Sequence, residues 1–496
     1  MSWKVKVALA AAILGGLVLR IWNIDRFGLN GDEAVYVGQA ANLAGYTQYA
    51  KYFALVRAHP LLYQFIVSLL LRISFNEMYG RFVSAAFSTL TIIVVYLLGK
   101  ELDSRRTGLI AAYFLAVMPC HIILARQALL DSTMTFFFTL AMYFFAKYLR
   151  KRNWIWASAF GVSAGLAFLA KEIALIIVLV IAMFSILFQR PSLKHLIVMG
   201  VAYFLTILPH IIVSMILKGV ASSYLIWQIS RPANHPPWFY LENFPTYFGV
   251  PTIPLMVAGI AYAVYRKRVS AALYATWILV VLGFIQLWPL KGFHYILPAV
   301  PAVALLTARV IDHLWTSESR MGVRKILSLV LIGMALAGGL YVSLTESVLS
   351  VDYSKIGLAG YSGLPSAREA ALWIRYNTPE RASVLTIGPT MLNVIKFYAD
   401  RDGYAMSVSP NPLKRNPMYE NLDNPDFMIR WGRIHYIVYD VYTASRTSHF
   451  ANAMLAYIAK YDAKLVHVEY GYVVSHNGTL TMRPTIMIYE LQVYRR

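Results

Sequence analysis

Apolar stretches of about 20 residues recur from residue 5 to about residue 345, and each is long enough to cross a hydrocarbon layer roughly 30 Å thick. Backbone groups inside such a layer must bond internally, so the stretches are read as helices. Composition agrees. Hydrophobic residues make up 58% of the 496 and charged residues only 14%, where a soluble chain carries about a quarter charged. The first stretch, 5–22, lacks a small-residue cleavage site after it and reads as an anchor. The chain is therefore expected to be a polytopic α-helical membrane protein with about eleven transmembrane helices, near 5–22, 81–99, 107–125, 132–149, 154–170, 173–189, 195–217, 248–265, 270–289, 293–311 and 325–345.

The net charge of +21 does not point to nucleic acid, because much of the excess lies in short loops between spans. Lys147, Arg150, Lys151 and Arg152 form one cluster. Arg266, Lys267 and Arg268 form a second, and Arg320, Arg324 and Lys325 a third. Basic loops stay in the cytoplasm. That rule puts the N-terminus inside and a first outer loop at 23–80. The count alternates correctly only if 61–74 lies against the outer interface rather than crossing. The expectation is a multi-pass protein of the cell (plasma) membrane. Its single cysteine, Cys120, allows no internal disulfide.

From residue 346 the apolar runs shorten and prolines become frequent. Helices are expected at 367–376 and 450–460, and strands at 383–387, 436–439 and 465–468. Their alternation indicates an α/β domain. The expected division is a transmembrane domain, 1–345, and an extracytoplasmic domain, 346–496. Asn477-Gly478-Thr479 fits a glycosylation sequon and fits an Asn-Gly hairpin turn better.

With this topology, polar residues gather at one depth: Asp32 and Glu33, Arg57 and His59, Arg126 and Asp131, Lys171 and Glu172, His235, Lys291 and His294. Charges beside a bilayer are costly and are commonly paired or functional. Each has a plainer reading. Asp32-Glu33 suits a helix start, Asp131 caps the next span, and lysines and arginines snorkel at span ends. A set of them on one side favours a site. No phosphate-cradling Gly-Lys-Ser loop, His-Glu-x-x-His or nucleophile-elbow serine competes.

Five segments carry a resemblance. They are Gly31-Asp32-Glu33, His59-Pro60-Leu61-Leu62-Tyr63, Arg126-Gln127-Ala128-Leu129-Leu130-Asp131, Phe168-Leu169-Ala170-Lys171-Glu172 and His235-Pro236-Pro237-Trp238-Phe239-Tyr240. In that order they resemble motifs of the C-type membrane glycosyltransferases, in particular the protein O-mannosyltransferase and lipid A aminoarabinose transferase group. The resemblance implies inverting transfer of a sugar from a polyprenyl-phosphate donor (dolichyl or undecaprenyl) to an acceptor hydroxyl at the outer face. Asp32 is the expected base, with Glu33 orienting it or holding a cation. Arg57, His59, Arg126 and Lys171 are the expected donor-phosphate ligands, Arg126 first because a guanidinium grips phosphate bidentately. Asp131, Glu172, His235, Trp238 and Tyr240 are expected to contact sugar or acceptor, or to support the site. The aminoarabinose group implies a zinc ion. Here only His235 and His59 suggest ligands, and two do not close a site; no metal is assigned, and a divalent ion is the minor alternative. Partners implied are the lipid-linked sugar, the bilayer and an acceptor glycan, lipid or protein.

Two readings of other classes stand beside this one. A lipid-linked-sugar flippase would carry charges near the midplane and paired broken helices. A non-catalytic scaffold with a partner-binding outer domain would not need the Asp, Arg and Lys positions. An oligosaccharyltransferase would carry Trp-Trp-Asp, and the chain has no Trp-Trp pair.

Overall fold

The computed structural model describes the chain except residues 1–2, 56–58, 217–226, 229, 267, 317–320, 351–364, 410, 412–413, 417, 423, 475–478 and 493–496. Arg57 and Asn477 therefore lie outside the described residues.

The expected spans appear as helices with shifted ends. They are α1 (Trp3–Ile21), α4 (Tyr79–Leu102), α5 (Arg105–Val117) with α6 (Pro119–Ala125), α7 (Leu130–Lys151), α8 (Trp154–Ala170), α9 (Ile176–Leu187), α10 (Leu193–Ile216), α11 (Thr252–Arg266), α12 (Val269–Leu287), α13 (Val300–Thr316) and α14 (Met321–Ser343). The segment between α1 and α4 supplies α2 (Gly31–Ala44) and α3 (Leu62–Leu71). By length and apolar composition, five described helices suffice to cross a membrane, or six if one bent pair counts as a span. The bent pair is α5 and α6, at 56°. Proline follows Met118, which is pushed to extended backbone with ψ 122°, and Pro119 then starts a new helix where its missing N–H costs nothing. The bend brings the chain to Arg126 early, so 126–131 forms a shelf at one end of the bundle.

Residues 367–490 form a five-stranded sheet of order β2-β1-β3-β5-β4. The strands are β1 (Ser383–Thr386), β2 (Asp402–Ala405), β3 (Tyr436–Asp440), β4 (Lys464–Val474) and β5 (Leu480–Glu490). β2, β1 and β3 run parallel, and β5 is antiparallel to β3 and β4. The helices are α15 (Ala367–Asn377), α16 (Pro389–Tyr398), α17 (Pro425–Arg430), α18 (Val441–Arg446) and α19 (Ser448–Lys460). The sequence reading lacked β2, β5, α16, α17 and α18.

This unit shares its core with the segment between α1 and α4. Leu29, Val37, Phe53 and Val67 pack in one cluster with Ala370, Val394, Phe397 and Ile488. Phe397 meets Tyr49 at 5.1 Å and Phe53 at 6.3 Å between ring centroids. Asn393 Nδ2 donates to the Gly31 carbonyl, and the Tyr398 hydroxyl accepts from Leu29 N. Phe397→Ala is expected to cost about 3–5 kcal/mol of that core. It should lower the thermal midpoint in detergent and speed protease release of the C-terminal unit; an unchanged midpoint would refute the shared core.

Candidate active site at the outer loop junction

Asp32 sits in the first turn of α2 on helical backbone, as the plainer reading of a helix start had it. Asn30 is the cap. Its side chain accepts from Asp32 N and Glu33 N, and Glu33 bonds back to Asn30 N, a reciprocal capping box. The two acids then part company. Asp32 is exposed; Glu33 is fully buried.

Glu33 is held from four directions. Its Oε1 accepts from Arg81 Nε at 2.7 Å and Ala128 N at 2.7 Å; its Oε2 accepts from Arg81 Nη2 at 2.8 Å and Asn30 N at 2.9 Å. Arg81 also donates to the carbonyls of Ile24, Phe27 and Gly28. This corrects the expected catalytic role of Glu33: its lone pairs are committed to structure. It holds a cation, as one of the expected roles had it, and that cation is Arg81. Sequence reading passed over Arg81 as the start of an apolar span. A lone guanidinium at the head of such a span was the available signal.

The same contacts bring Asp32 to the shelf. Asn30 Nδ2 donates to Gln127 Oε1 at 3.3 Å, beside the Glu33–Ala128 bond. One helical turn on from Asp32, Tyr36 lies edge-on to His59, with ring centroids 6.1 Å apart. His59 Nδ1 bonds Glu172 at 2.7 Å. Next to Glu172, Lys171 Nζ donates to both Asp131 oxygens at 2.9 Å and lies 5.4 Å from the Tyr295 ring centroid. Tyr36, His59, Glu172, Lys171 and Asp131 thus run as a train from α2 across to the head of α7 and the tail of α8, and Asp32 lies one helical turn before Tyr36.

The local backbone explains the train. α8 stops at Lys171, whose extended backbone (φ −160°, ψ 128°) turns its side chain from the helix, and a 3-10 turn, Glu172–Leu175, follows. Lys171 is 5% exposed and Asp131 2%. Burial alone would lower the Lys171 pKa, but the facing Asp131 carboxylate more than offsets it and the ammonium stands above its ordinary value. Burial likewise works to raise Glu172, while His59 and Lys171 hold its carboxyl below the usual range.

Other expected roles are revised. Arg126 donates to the carbonyls of Leu19, Trp22 and Asn23, at 3.2, 2.7 and 3.3 Å. It closes the C-terminal end of α1, so its donors are spent on orphan carbonyls rather than held out for phosphate. Asp131 has a supporting role, holding Lys171. Tyr240 is buried, with its hydroxyl against Gly292, and is structural rather than a sugar contact. Trp238 is exposed. His235 stacks on Phe239 at 4.3 Å. Partial burial and the nearby Arg446 lower its imidazole pKa. Trp227 Nε1 donates to the Lys414 carbonyl, a contact with the C-terminal unit. Lys291 donates to the Ile285, Gln286 and Trp288 carbonyls at the end of α12. Among the described residues, no three His, Cys, Asp or Glu side chains converge as a metal site. His59 Nδ1 is bonded to Glu172, and His235 stacks on Phe239.

Three comparisons bear on this geometry. Residues 58–216 match the family model for dolichyl-phosphate-mannose-protein mannosyltransferase. The chain is 25% identical over 327 residues to an undecaprenyl phosphate-alpha-4-amino-4-deoxy-L-arabinose arabinosyl transferase of Pseudomonas fluorescens. That match covers 60% of this chain and 59% of the relative, so the chain spans about three fifths of the relative's length. The crystal structure of ArnT from Cupriavidus metallidurans in the apo state superposes with TM-score 0.69 at 14% identity, covering 98% of this chain and 97% of that one. The apo oligosaccharyltransferase of Archaeoglobus fulgidus gives 0.68 at 17%, covering 98% and 75%. At those identities the structures speak for the fold alone. The chain is a multi-pass integral membrane protein with the C-type glycosyltransferase fold. In sequence it is similar to the protein O-mannosyltransferase and aminoarabinose transferase group, the resemblance its five motifs carry.

Arg81→Met leaves Glu33 buried without its counter-charge and is expected to cost about 3–5 kcal/mol. The readout is the thermal midpoint of the purified protein, against Asp32→Asn, which should melt like the native chain. Equal midpoints for both variants would refute the structural assignment of Glu33.

Proposed function

We propose that the chain transfers a sugar from a polyprenyl-phosphate donor to an acceptor hydroxyl at the outer membrane face, with inversion at the anomeric carbon. The observation that carries this reading is the train of charged groups at one end of the bundle. It offers one exposed carboxylate, Asp32, tied through its helix to the shelf that bears the Asp131–Lys171 pair. The family relationship supports the same reaction class.

In the proposed step Asp32 takes the proton of the acceptor hydroxyl. The oxygen attacks the anomeric carbon on the face away from the phosphate, the carbon–oxygen bond to phosphate breaks, and polyprenyl phosphate leaves. The leaving group gains charge as that bond breaks. A cation fixed beside it stabilises the transition state more than the ground state. Lys171 is the first candidate for that cation, held charged by Asp131; His59 stands next, oriented by Glu172. Arg126 moves behind both, since its donors close α1. Glu172 and Asp131 support, and Trp238 is left as a sugar or acceptor contact.

The proposed topology puts about eleven crossings in the plasma membrane, with the N-terminus cytoplasmic and 346–496 outside. Basic loops at one end and the site at the other support it. The acceptor would reach Asp32 from the aqueous side, beneath the C-terminal unit.

The test is a reconstituted assay with purified protein, a panel of polyprenyl-phosphate sugars and membrane extract. Asp32→Asn should lose transfer by about 10²–10⁴-fold while donor binding persists. Lys171→Ala should weaken donor use more than Arg126→Gln once both are compared at equal folded protein. Full turnover in Asp32→Asn removes the base assignment. Transfer that survives Lys171→Ala and fails in a well-folded Arg126→Gln reverses the phosphate assignment.

A further inference from the structure

One buried cation takes no part in the site described above. Arg20 lies in the last turn of α1 and is 0% exposed. Its Nε donates to Ser88 Oγ of α4 at 2.7 Å. Nη1 donates to the carbonyls of Gly16, one turn back on α1, at 2.7 Å and of Ala116 at 3.1 Å. Nη2 donates to the Leu115 carbonyl at 3.2 Å and to His121 Nδ1 at 2.7 Å. A guanidinium has no acceptor, so Nδ1 accepts and the ring hydrogen of His121 sits on Nε2. Nε2 is buried without a partner among the described residues, so Nδ1 carries the ring's hydrogen bonding. Among the described residues no carboxylate meets Arg20. A buried charge held only by neutral groups is expensive and marks a constraint.

Those contacts span the bend between α5 and α6. In a straight helix the Leu115 carbonyl would accept from residue 119, which is a proline and has no N–H. The Ala116 carbonyl would accept from Cys120, which lies past the 56° bend. Arg20 meets both carbonyls on the α5 side and His121 on the α6 side with one planar group. α6 ends at Ala125, where the shelf begins. From there Arg126 reaches back to the carbonyls of Leu19, Trp22 and Asn23. So α1 caps the end of α5, and the shelf caps the end of α1. Between these two clamps, the direction of α6 decides where Ala128 meets Glu33 and where Asp131 meets Lys171.

We infer that Arg20, acting through His121, is a positioning residue for sugar transfer: it sets the angle between α5 and α6, and so the place of the Asp131–Lys171 pair relative to Asp32. The inference rests on the transfer reaction proposed above. The role calls for arginine. Lysine keeps the charge but is a single point without a fork, and it cannot meet Ser88, the α5 carbonyls and His121 together. Ser88 Oγ, 3.0 Å from His121 Nδ1, steadies the same ring from α4. A displacement of about 1 Å at a reacting centre costs on the order of 100-fold in rate. A small change in the bend therefore reaches the chemistry without unfolding the helices that make it.

The experiment makes two measurements on the full chain in lipid nanodiscs. One is transfer kinetics with the panel of polyprenyl-phosphate sugars and membrane extract. The other is hydrogen–deuterium exchange of residues 122–131, with 384–398 in the C-terminal unit as the internal control. Arg20→Lys and His121→Leu should each lower kcat on the order of 100-fold, while the KM for donor changes less than about threefold. Exchange in 122–131 should quicken about tenfold and stay native in 384–398. His121→Asn, whose side-chain carbonyl can accept from Nη2, should bring turnover back to within about tenfold of native. Native exchange in 122–131 in both variants overturns the inference. Faster exchange with native kcat also overturns it, since Arg20 is then a clamp with no hold on the chemistry. So does exchange that quickens equally in 384–398, or a His121→Asn variant as inactive as His121→Leu. A native chain that transfers no sugar, in which Arg20→Lys still quickens 122–131 alone, refutes the transfer reaction and leaves the bend assignment standing.

Discussion

One buried ion pair fixes the relation between the parts that matter. Arg81 and Glu33 are nearly without solvent, and between them they bond three carbonyls of the 24–28 loop, the cap of α2 and the backbone of Ala128. A carboxylate and a guanidinium taken out of water hold together only if their remaining donors and acceptors are also met. Here those extra bonds reach into three separate segments, so the pair sets where α2 begins relative to α4 and the shelf. Asp32 is exposed at that spot because its neighbour Glu33 is not. The adjacent acids divide the labour by helix geometry: at consecutive positions they point about 100° apart, one into the protein and one out.

Cations at membrane helix ends have two uses that a sequence does not separate. The last carbonyls of a helix lack partners and carry partial negative charge. Arg126 and Lys291 answer that need, for α1 and α12. Lys171 does not: it turns away from its own helix and meets a carboxylate on α7. All three read alike as a basic residue at the edge of an apolar run. What distinguishes them is the backbone after the helix, which for Lys171 is extended and for Arg126 is a shallow turn (φ −86°, ψ 4°) facing the neighbouring helix end.

Much of the architecture was legible because the bilayer forces it. Hydropathy located α7 and α8 to within two residues of their ends, whereas α13, Val300–Thr316, is displaced from the expected 293–311. The kink before Pro119 was also written in the sequence but was absorbed into one span. Pairing was not legible. Which acid meets Arg81, or that Asp131 takes Lys171 instead of Arg126, depends on how helices distant in the chain face one another. In the C-terminal unit β1, β3 and α19 were found by alternation and apolar pattern. β5 was hidden by Arg483 and Pro484, which lie where it extends past β3 and pairs with β4 alone. There, one side of the ribbon is free and a charge or proline costs little.

The boundary near residue 346 divides the chain by composition but not by packing. Residues of the segment between α1 and α4 share a core with α15, α16 and the sheet, and Gly31 lies so close to α16 that an added Cβ would come within 2.7 Å of Thr390 Cα. A side chain at position 31 would push the two apart. The bare backbone there lets the start of α2, with Asp32 next to it, stand directly beneath the N-terminal turn of α16. The C-terminal unit therefore forms part of the wall beside the candidate base, and its position is set by apolar contact rather than by a hinge. In the proposed reaction an acceptor reaching Asp32 would pass along that wall, and the side chains at the start of α16 would be placed to discriminate between acceptors.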